Sequence, residues 1–213
     1  MSHFIPERAT VSTAAARPLP PLRRLISALE GAARLDAVAS GLQTIGGTLV
    51  RSRAGDLLLG RPLGHAAHPF LTDLPLGAWM SAVVLDVSRV PGSRAAARRL
   101  VGFGVLAAVP SVLSGLAELA AVDRSGRRVG VVHASANAVA LSLFTASYRS
   151  RREGHDDRGA ALALAGAGLA SFAGYLGGPL AIARDVGTRA AEYQESFRAD
   201  QHPVPDADPA VQI

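Results

Sequence analysis

The sequence predicts an all-α protein, an integral-membrane up-down four-helix bundle preceded by an amphipathic interfacial helix. Three observations predict it. Val129 to Tyr148 and Gly159 to Ala183 carry no charged residue over 20 and 25 positions, lengths that at 1.5 Å rise per residue match an apolar bilayer core about 30 Å thick. Four apolar segments are joined by short polar connections at 91–99, 123–128 and 149–158, which force consecutive helices to run antiparallel as neighbours. Ahead of them, apolar residues recur near helical spacing among scattered charges.

Residues 1–21 end in Arg17-Pro18-Leu19-Pro20-Pro21 and lack an apolar central run. They read as a disordered leader and not as a cleavable signal peptide. From Leu22 to Val50, apolar positions Leu22, Leu25, Ile26, Leu29, Ala33, Val38, Leu42 and Ile45 alternate with Arg23, Arg24, Glu30, Arg34 and Asp36. Such a helix beside a membrane domain is expected on the interface. Residues 51–68 are rich in glycine and proline and read as an irregular loop that delivers His65 and His68 to the membrane edge.

The membrane domain is expected over 69–183. Its first segment starts at Pro69 or Leu74 and ends at Val90, with Asp73 placed to cap the helix. The second runs from Leu100 to Val122 and carries Pro110 near its middle, where the missing donor predicts a kink. The third and fourth are the two charge-free stretches. Residues 184–213 are polar and proline-bearing, a tail in which a short helix is expected around Thr188 to Phe197.

Composition limits the chemistry. The chain has no cysteine, which excludes disulfides, thiolate catalysis and iron–sulfur ligation by cysteine within it. All 22 basic residues are arginine and the pI is about 10.8. They cluster at segment ends without interleaved aromatics, so the expected partner is the lipid bilayer and not nucleic acid. Mean hydropathy is only +0.24 because the polar ends dilute the apolar middle. Arginines near segment ends number eight on each side, so the positive-inside rule is tied. Arg8, Arg17, Arg23, Arg24 and Arg34 tip the expectation to a cell-membrane protein with both termini cytoplasmic.

Small residues every fourth position, above all Gly166, Ala170, Gly174 and Gly178, are expected to let helices approach closely. Alternating helix direction collects His65, His68, Asp73, Ser114, Glu118, Asp123, His133, Asn137 and Tyr175 in one leaflet, with Asp86 an outlier at the other end. Polar residues inside a membrane are costly to keep and are the leading site candidates. His68 and His133, on parallel and diagonal helices, are the candidate ligands of a prosthetic group, supported by His65, Asn137 and Tyr175. Haem b or a divalent metal suits two neutral imidazoles, and a set of interfacial polar residues holding nothing is the bland alternative. A metal site would draw on His65, His68, His133 and Glu118, although Glu118 alone reads as a carboxylate reaching outward or pairing with Arg124 or Arg127.

At these residues the chain resembles a known family. Gly60-Arg-Pro-Leu-Gly-His65-Ala-Ala-His68-Pro69-Phe-Leu-Thr-Asp73-Leu-Pro75-Leu-Gly77-Ala-Trp79, with Ser114-Gly115-Leu-Ala-Glu118, His133-Ala-Ser-Ala-Asn137 and Tyr175-Leu-Gly-Gly178, is similar to the domain of unknown function 2231 family over about residues 20–187. The resemblance implies a four-helix membrane protein. Some members look fused to, or encoded with, Rieske-type iron–sulfur proteins, which implies a redox or respiratory partner. The family's Tyr-Leu-Gly-Gly is typically followed by histidine, and Pro179 stands there in this chain. The expected function is a non-enzymatic structural or electron-transfer-associated subunit, able to form a homo-oligomer. A metal-dependent membrane enzyme is the alternative, and a small transporter is weaker still because no inverted repeat is apparent.

Overall fold

The computed structural model describes residues 20–182. The expected leader, apart from its last two residues, and the polar tail with its short helix lie outside the described residues. The described residues are helical, without strands: α1 (Pro20–Gly31), α2 (Asp36–Val50), α3 (Gly55–Leu58), α4 (Ala67–Ser88), α5 (Ser93–Leu119), α6 (Arg124–Arg152) and α7 (Asp156–Ile182). Single 3-10 turns at Ala33–Leu35 and Arg61–Leu63 link the early helices. Four of the helices, α4 to α7, are long and apolar enough to cross a membrane.

The links between the four are short and turn sharply. Arg89 and Gly92 take positive φ of 50° and 84° between α4 and α5, and Gly154 takes 85° between α6 and α7. Glycine reaches that region without the steric cost other residues meet. Asp123 caps α6, its carboxylate accepting from the Ser125 amide at 3.2 Å. The up-down order follows, with α4 against α5 and α6 against α7 as the closest pairs, α5 touching α6 and α4 touching α7.

Two boundaries differ from expectation. Helix α4 begins at Ala67, so Asp73 is an exposed residue inside it and caps nothing. Pro69 explains the earlier start, because its missing N–H falls in the first turn, where backbone donors have no partner within the helix. The segment 22–50 is not one helix but two, bent through the turn at Ala33–Leu35. These helices pack on the bundle, α1 on α6 and α2 on α5 and α6. Asp36 accepts from Arg124 at 2.7 Å and from both Arg128 Nε at 2.7 Å and Nη2 at 3.0 Å, while Arg128 Nη1 donates to the Glu30 carbonyl at 2.6 Å. Arg128 and then Arg124 hold the Asp36 carboxyl well below the usual carboxylate range, against the opposing effect of desolvation.

The bundle interior is built on a repeat that the sequence does not advertise. Three side-chain pairs meet across the diagonal between α4 and α6: His68 with His133, Trp79 with Phe144, and Asp86 with Arg151. Members of each pair lie 65 positions apart. The second helix of each hairpin repeats at 62: Gly104 faces Trp79 as Gly166 faces Phe144, and Gly115 faces His68 as Gly177 faces His133. Buried positions agree, with Ala97, Val101, Ala108, Ser111 and Ser114 of α5 matched by Gly159, Ala163, Ala170, Ala173 and Leu176 of α7. The hairpins α4–α5 and α6–α7 are thus related by a pseudo-two-fold axis along the bundle, both entering it from the same end.

The middle layer is the apolar centre. Trp79 and Phe144 stack with ring centroids 4.0 Å apart and planes 8° from parallel, a geometry worth more than its buried area. Trp79 Nε1 donates to the Val101 carbonyl at 3.4 Å. The glycine ladder expected at 166, 170, 174 and 178 holds only in part: a Cβ on Gly174 or Gly178 would meet nothing within 4 Å. Four-residue steps overshoot a 3.6-residue turn by about 40° each, so the row walks off the face, whereas alternate steps of three and four stay on it.

Candidate functional site

The site is assembled at the end of the bundle where α4 and α6 begin. His68 sits in the first turn of α4, so its backbone N–H has no helical acceptor. Glu118, near the end of α5, supplies one: its Oε1 accepts at 3.2 Å. The carboxylate is 7% exposed and lies at the positive end of the α4 dipole. Glu118 therefore turns inward, and the outward reach or pairing with Arg124 or Arg127 expected from the sequence does not occur.

The two imidazoles are held alike. His68 Nδ1 lies 2.9 Å from the Ser111 carbonyl of α5, and His133 Nδ1 lies 2.8 Å from the Ala173 carbonyl of α7. A carbonyl can only accept, so each Nδ1 carries a proton, and in the neutral imidazole each Nε2 keeps its lone pair. The ring centroids are 6.5 Å apart with the planes at 82°. Each ring rests on a glycine: a Cβ on Gly115 would come 2.7 Å from His68 Cε1, and one on Gly177 3.0 Å from His133 Cε1. Any side chain at these positions would push its ring off the axis.

A second rank of polar atoms surrounds the rings. Thr72 Oγ1 donates to the His68 carbonyl at 2.7 Å and lies 3.0 Å from Ser111 Oγ. Ser114 Oγ donates to the Ser111 carbonyl at 2.9 Å and sits 3.3 Å from His68 Nδ1. Asn137 Nδ2 lies 3.0 Å from His133 Nε2, an approach that makes the amide the donor. Thr72 and Asn137, each four residues after its histidine, occupy the same place in the two halves. Ser114 of α5 and its counterpart Leu176 of α7, both 0% exposed, fill the layer from the other diagonal.

The remaining predicted residues stand apart. His65 is exposed on the rim, its Nδ1 3.0 Å from the carbonyl of the next residue, Ala66. The Tyr175 hydroxyl is buried and has no hydrogen-bond partner among the described residues. Among the described residues no group of three or more histidines, aspartates and glutamates has the arrangement to hold a metal ion. Two imidazoles come together, with Glu118 touching the backbone of one and Asn137 the ring of the other.

The opposite end of the axis holds a charge pair that sequence reading missed. Arg151 donates from Nη1 to Asp86 Oδ1 at 2.8 Å and from Nη2 to Oδ2 at 2.5 Å. Its side chain is 0% exposed and that of Asp86 10%. Arg151 Nε also donates to Ser147 Oγ at 3.2 Å, and Ser147 in turn to the Gly159 carbonyl at 2.6 Å. Asp86, an acid in the apolar second half of its segment, called for a cationic partner. The 65-residue spacing shared with His68 and His133 would have picked Arg151 from the four arginines near that helix end.

Neither the curated proteins nor the solved structures include a match to this chain. The family model described as predicted membrane protein, domain of unknown function 2231, matches residues 64–190. That span takes in both hairpins and every residue of the imidazole layer, and the chain belongs to this family.

Proposed function

We infer that the protein is a non-enzymatic membrane subunit associated with electron transfer, and that its axial imidazole pair is the ligand set of a redox prosthetic group. The observation that carries this reading is the pair itself: two rings 6.5 Å apart across the bundle axis, each tied through Nδ1 to a carbonyl. Such second-rank carbonyls fix ring orientation and raise the basicity of the free nitrogen. Two imidazoles on facing helices of a bundle core are a donor set that would suit haem b, with His68 and His133 as the residues that would hold it.

Bound there, the haem would supply one-electron chemistry. This chain's residues would orient and enclose it: Ser111 and Ala173 hold the rings, Gly115 and Gly177 leave them room, and Asn137 gives up its bond to His133 Nε2. Ser114 of α5 and Leu176 of α7, which fill the layer, would have to give way to admit it. The test is a visible spectrum with elemental analysis of detergent-purified protein. A Soret band that disappears in both His68→Ala and His133→Ala is expected. No Soret band and no bound metal would sink the reading, and a divalent metal without a Soret band would favour metal-assisted enzyme chemistry instead.

A further inference from the structure

At the end of the bundle far from the imidazole pair, the outer side of the α6–α7 hairpin carries a cleft of about 550 Å³. Its lining includes Leu141, Ser142, Thr145 and Arg149 of α6 and Arg158 and Leu162 of α7. Arg149 lies in the last turn of α6 and Arg158 in the first turn of α7, so both mark the mouth of the cleft at the membrane surface. The leucines, two turns further in on α6 and one on α7, form its apolar floor. Neither arginine has a carboxylate within 4.0 Å among the described residues. Glu153, which also lines the cleft, stands 4.0 Å from His155 Nδ1. Ser142 and Thr145 donate their hydroxyl protons to the backbone of their own helix.

The pseudo-two-fold repeat supplies an internal comparison. The same place on the α4–α5 hairpin has Val84 for Arg149, Ala96 for Arg158, Gly77 for Ser142 and Met80 for Thr145. The fold does not need arginine there. Arg94, one of the arginines at this end of that hairpin, is engaged with Asp157 at 2.8 Å and Asp156 at 3.9 Å. The α6–α7 hairpin thus places two guanidinium groups without a carboxylate partner at the mouth of a cleft, where the matched places of the α4–α5 hairpin have Val84 and Ala96.

We propose that this cleft binds an anionic phospholipid, its phosphate between Arg149 and Arg158 and an acyl chain along Leu141 and Leu162. Guanidinium groups take phosphate oxygens in bidentate geometry, and basic clefts between membrane helices at headgroup depth suit acidic lipids. The lipid is always present at this depth, and its two-part chemistry matches the charged mouth and apolar floor.

Retention of lipid on the detergent-purified full chain is measured by native mass spectrometry, with added phosphatidylglycerol, phosphatidylcholine or inorganic phosphate. Phosphatidylglycerol should remain as a one-to-one adduct and phosphatidylcholine should not. In Arg149→Gln/Arg158→Gln the apparent affinity should fall about 30-fold, taking the contribution of each arginine near an anionic surface. Arg98→Gln/Arg99→Gln, two exposed arginines of α5 outside the cleft, should retain the adduct in full. Fluorescence of the buried Trp79 confirms that each variant is folded. Equal retention of phosphatidylcholine, displacement of the lipid by inorganic phosphate, an undiminished adduct in the cleft variant, or equal loss in the control would each overturn the proposal.

Discussion

Arg151→Met keeps most of the side chain's length and removes its charge, leaving the 10% exposed Asp86 carboxylate without the donors now at 2.8 and 2.5 Å. Breaking a buried ion pair from one side costs about 3–5 kcal/mol, because an uncompensated charge stays behind. Loss of the Nε bond to Ser147 adds about 1 kcal/mol. The ratio of folded to unfolded protein should fall by at least two orders of magnitude at a given denaturing strength. Asp86→Leu should cost a similar amount by stranding Arg151. The double variant Asp86→Leu/Arg151→Met removes both charges and should be more stable than either single one. Equilibrium unfolding in mixed micelles with increasing sodium dodecyl sulfate gives the numbers, read from Trp79, the chain's one tryptophan, whose stack on Phe144 lies two turns from the pair. Single variants within 1 kcal/mol of the parent, or a double variant whose loss equals the sum of the singles, would refute the idea that this pair joins the hairpins.

Gly104→Ala should destabilise more than Gly166→Ala, because a Cβ at 104 overlaps the Trp79 indole while one at 166 comes 3.0 Å from Phe144; the same unfolding assay should show about 1–3 kcal/mol for overpacking. Glu118→Gln keeps an acceptor for the His68 amide and should cost little, whereas Glu118→Ala leaves that amide unsatisfied and should cost about 1–3 kcal/mol. The clamp of α2 on α6 should be pH-dependent: the Asp36 carboxyl is depressed when docked, so its contribution to docking is full above the free carboxylate's value of about 3.9 and is lost progressively as pH falls from there through the depressed value of the docked group. Spin labels on α2 and α6 should stay close at about pH 4 and separate only as pH falls well below it, and Asp36→Asn should remove that transition while loosening the clamp at neutral pH.

The helices and their order were legible because charge-free length and short connections act locally. The 68 and 133 histidines were legible as a pair because an up-down bundle of even spans returns the starts of α4 and α6 to one end. What held them was not. Ser111 and Ala173 contribute main-chain carbonyls, which leave no mark in the sequence beyond a small residue. Glu118 was misread because its partner is a backbone amide 50 positions away and not a nearby arginine. Arg151 was counted with the interfacial arginines, since composition cannot tell a cation facing lipid headgroups from one facing Asp86. The repeat is hard to see in the sequence because matched positions share burial and few identities: Trp79 answers to Phe144, Ala82 to Ser147, and Asp86 to Arg151.

That last pairing carries a consequence for how such a bundle can be made. In a dimer of two identical hairpins, a side chain on the two-fold axis meets its own copy. A histidine layer or an aromatic stack survives that rule unchanged, since like can face like. An aspartate would face an aspartate and an arginine an arginine, each pair repelling within a low-dielectric interior. Asp86 against Arg151 is open only to halves of different sequence, and it favours the mixed pair over either self-pair. Tethering two hairpins in one chain thus lets the far end of the axis encode which half belongs with which, while the imidazole end keeps a near-symmetric cradle.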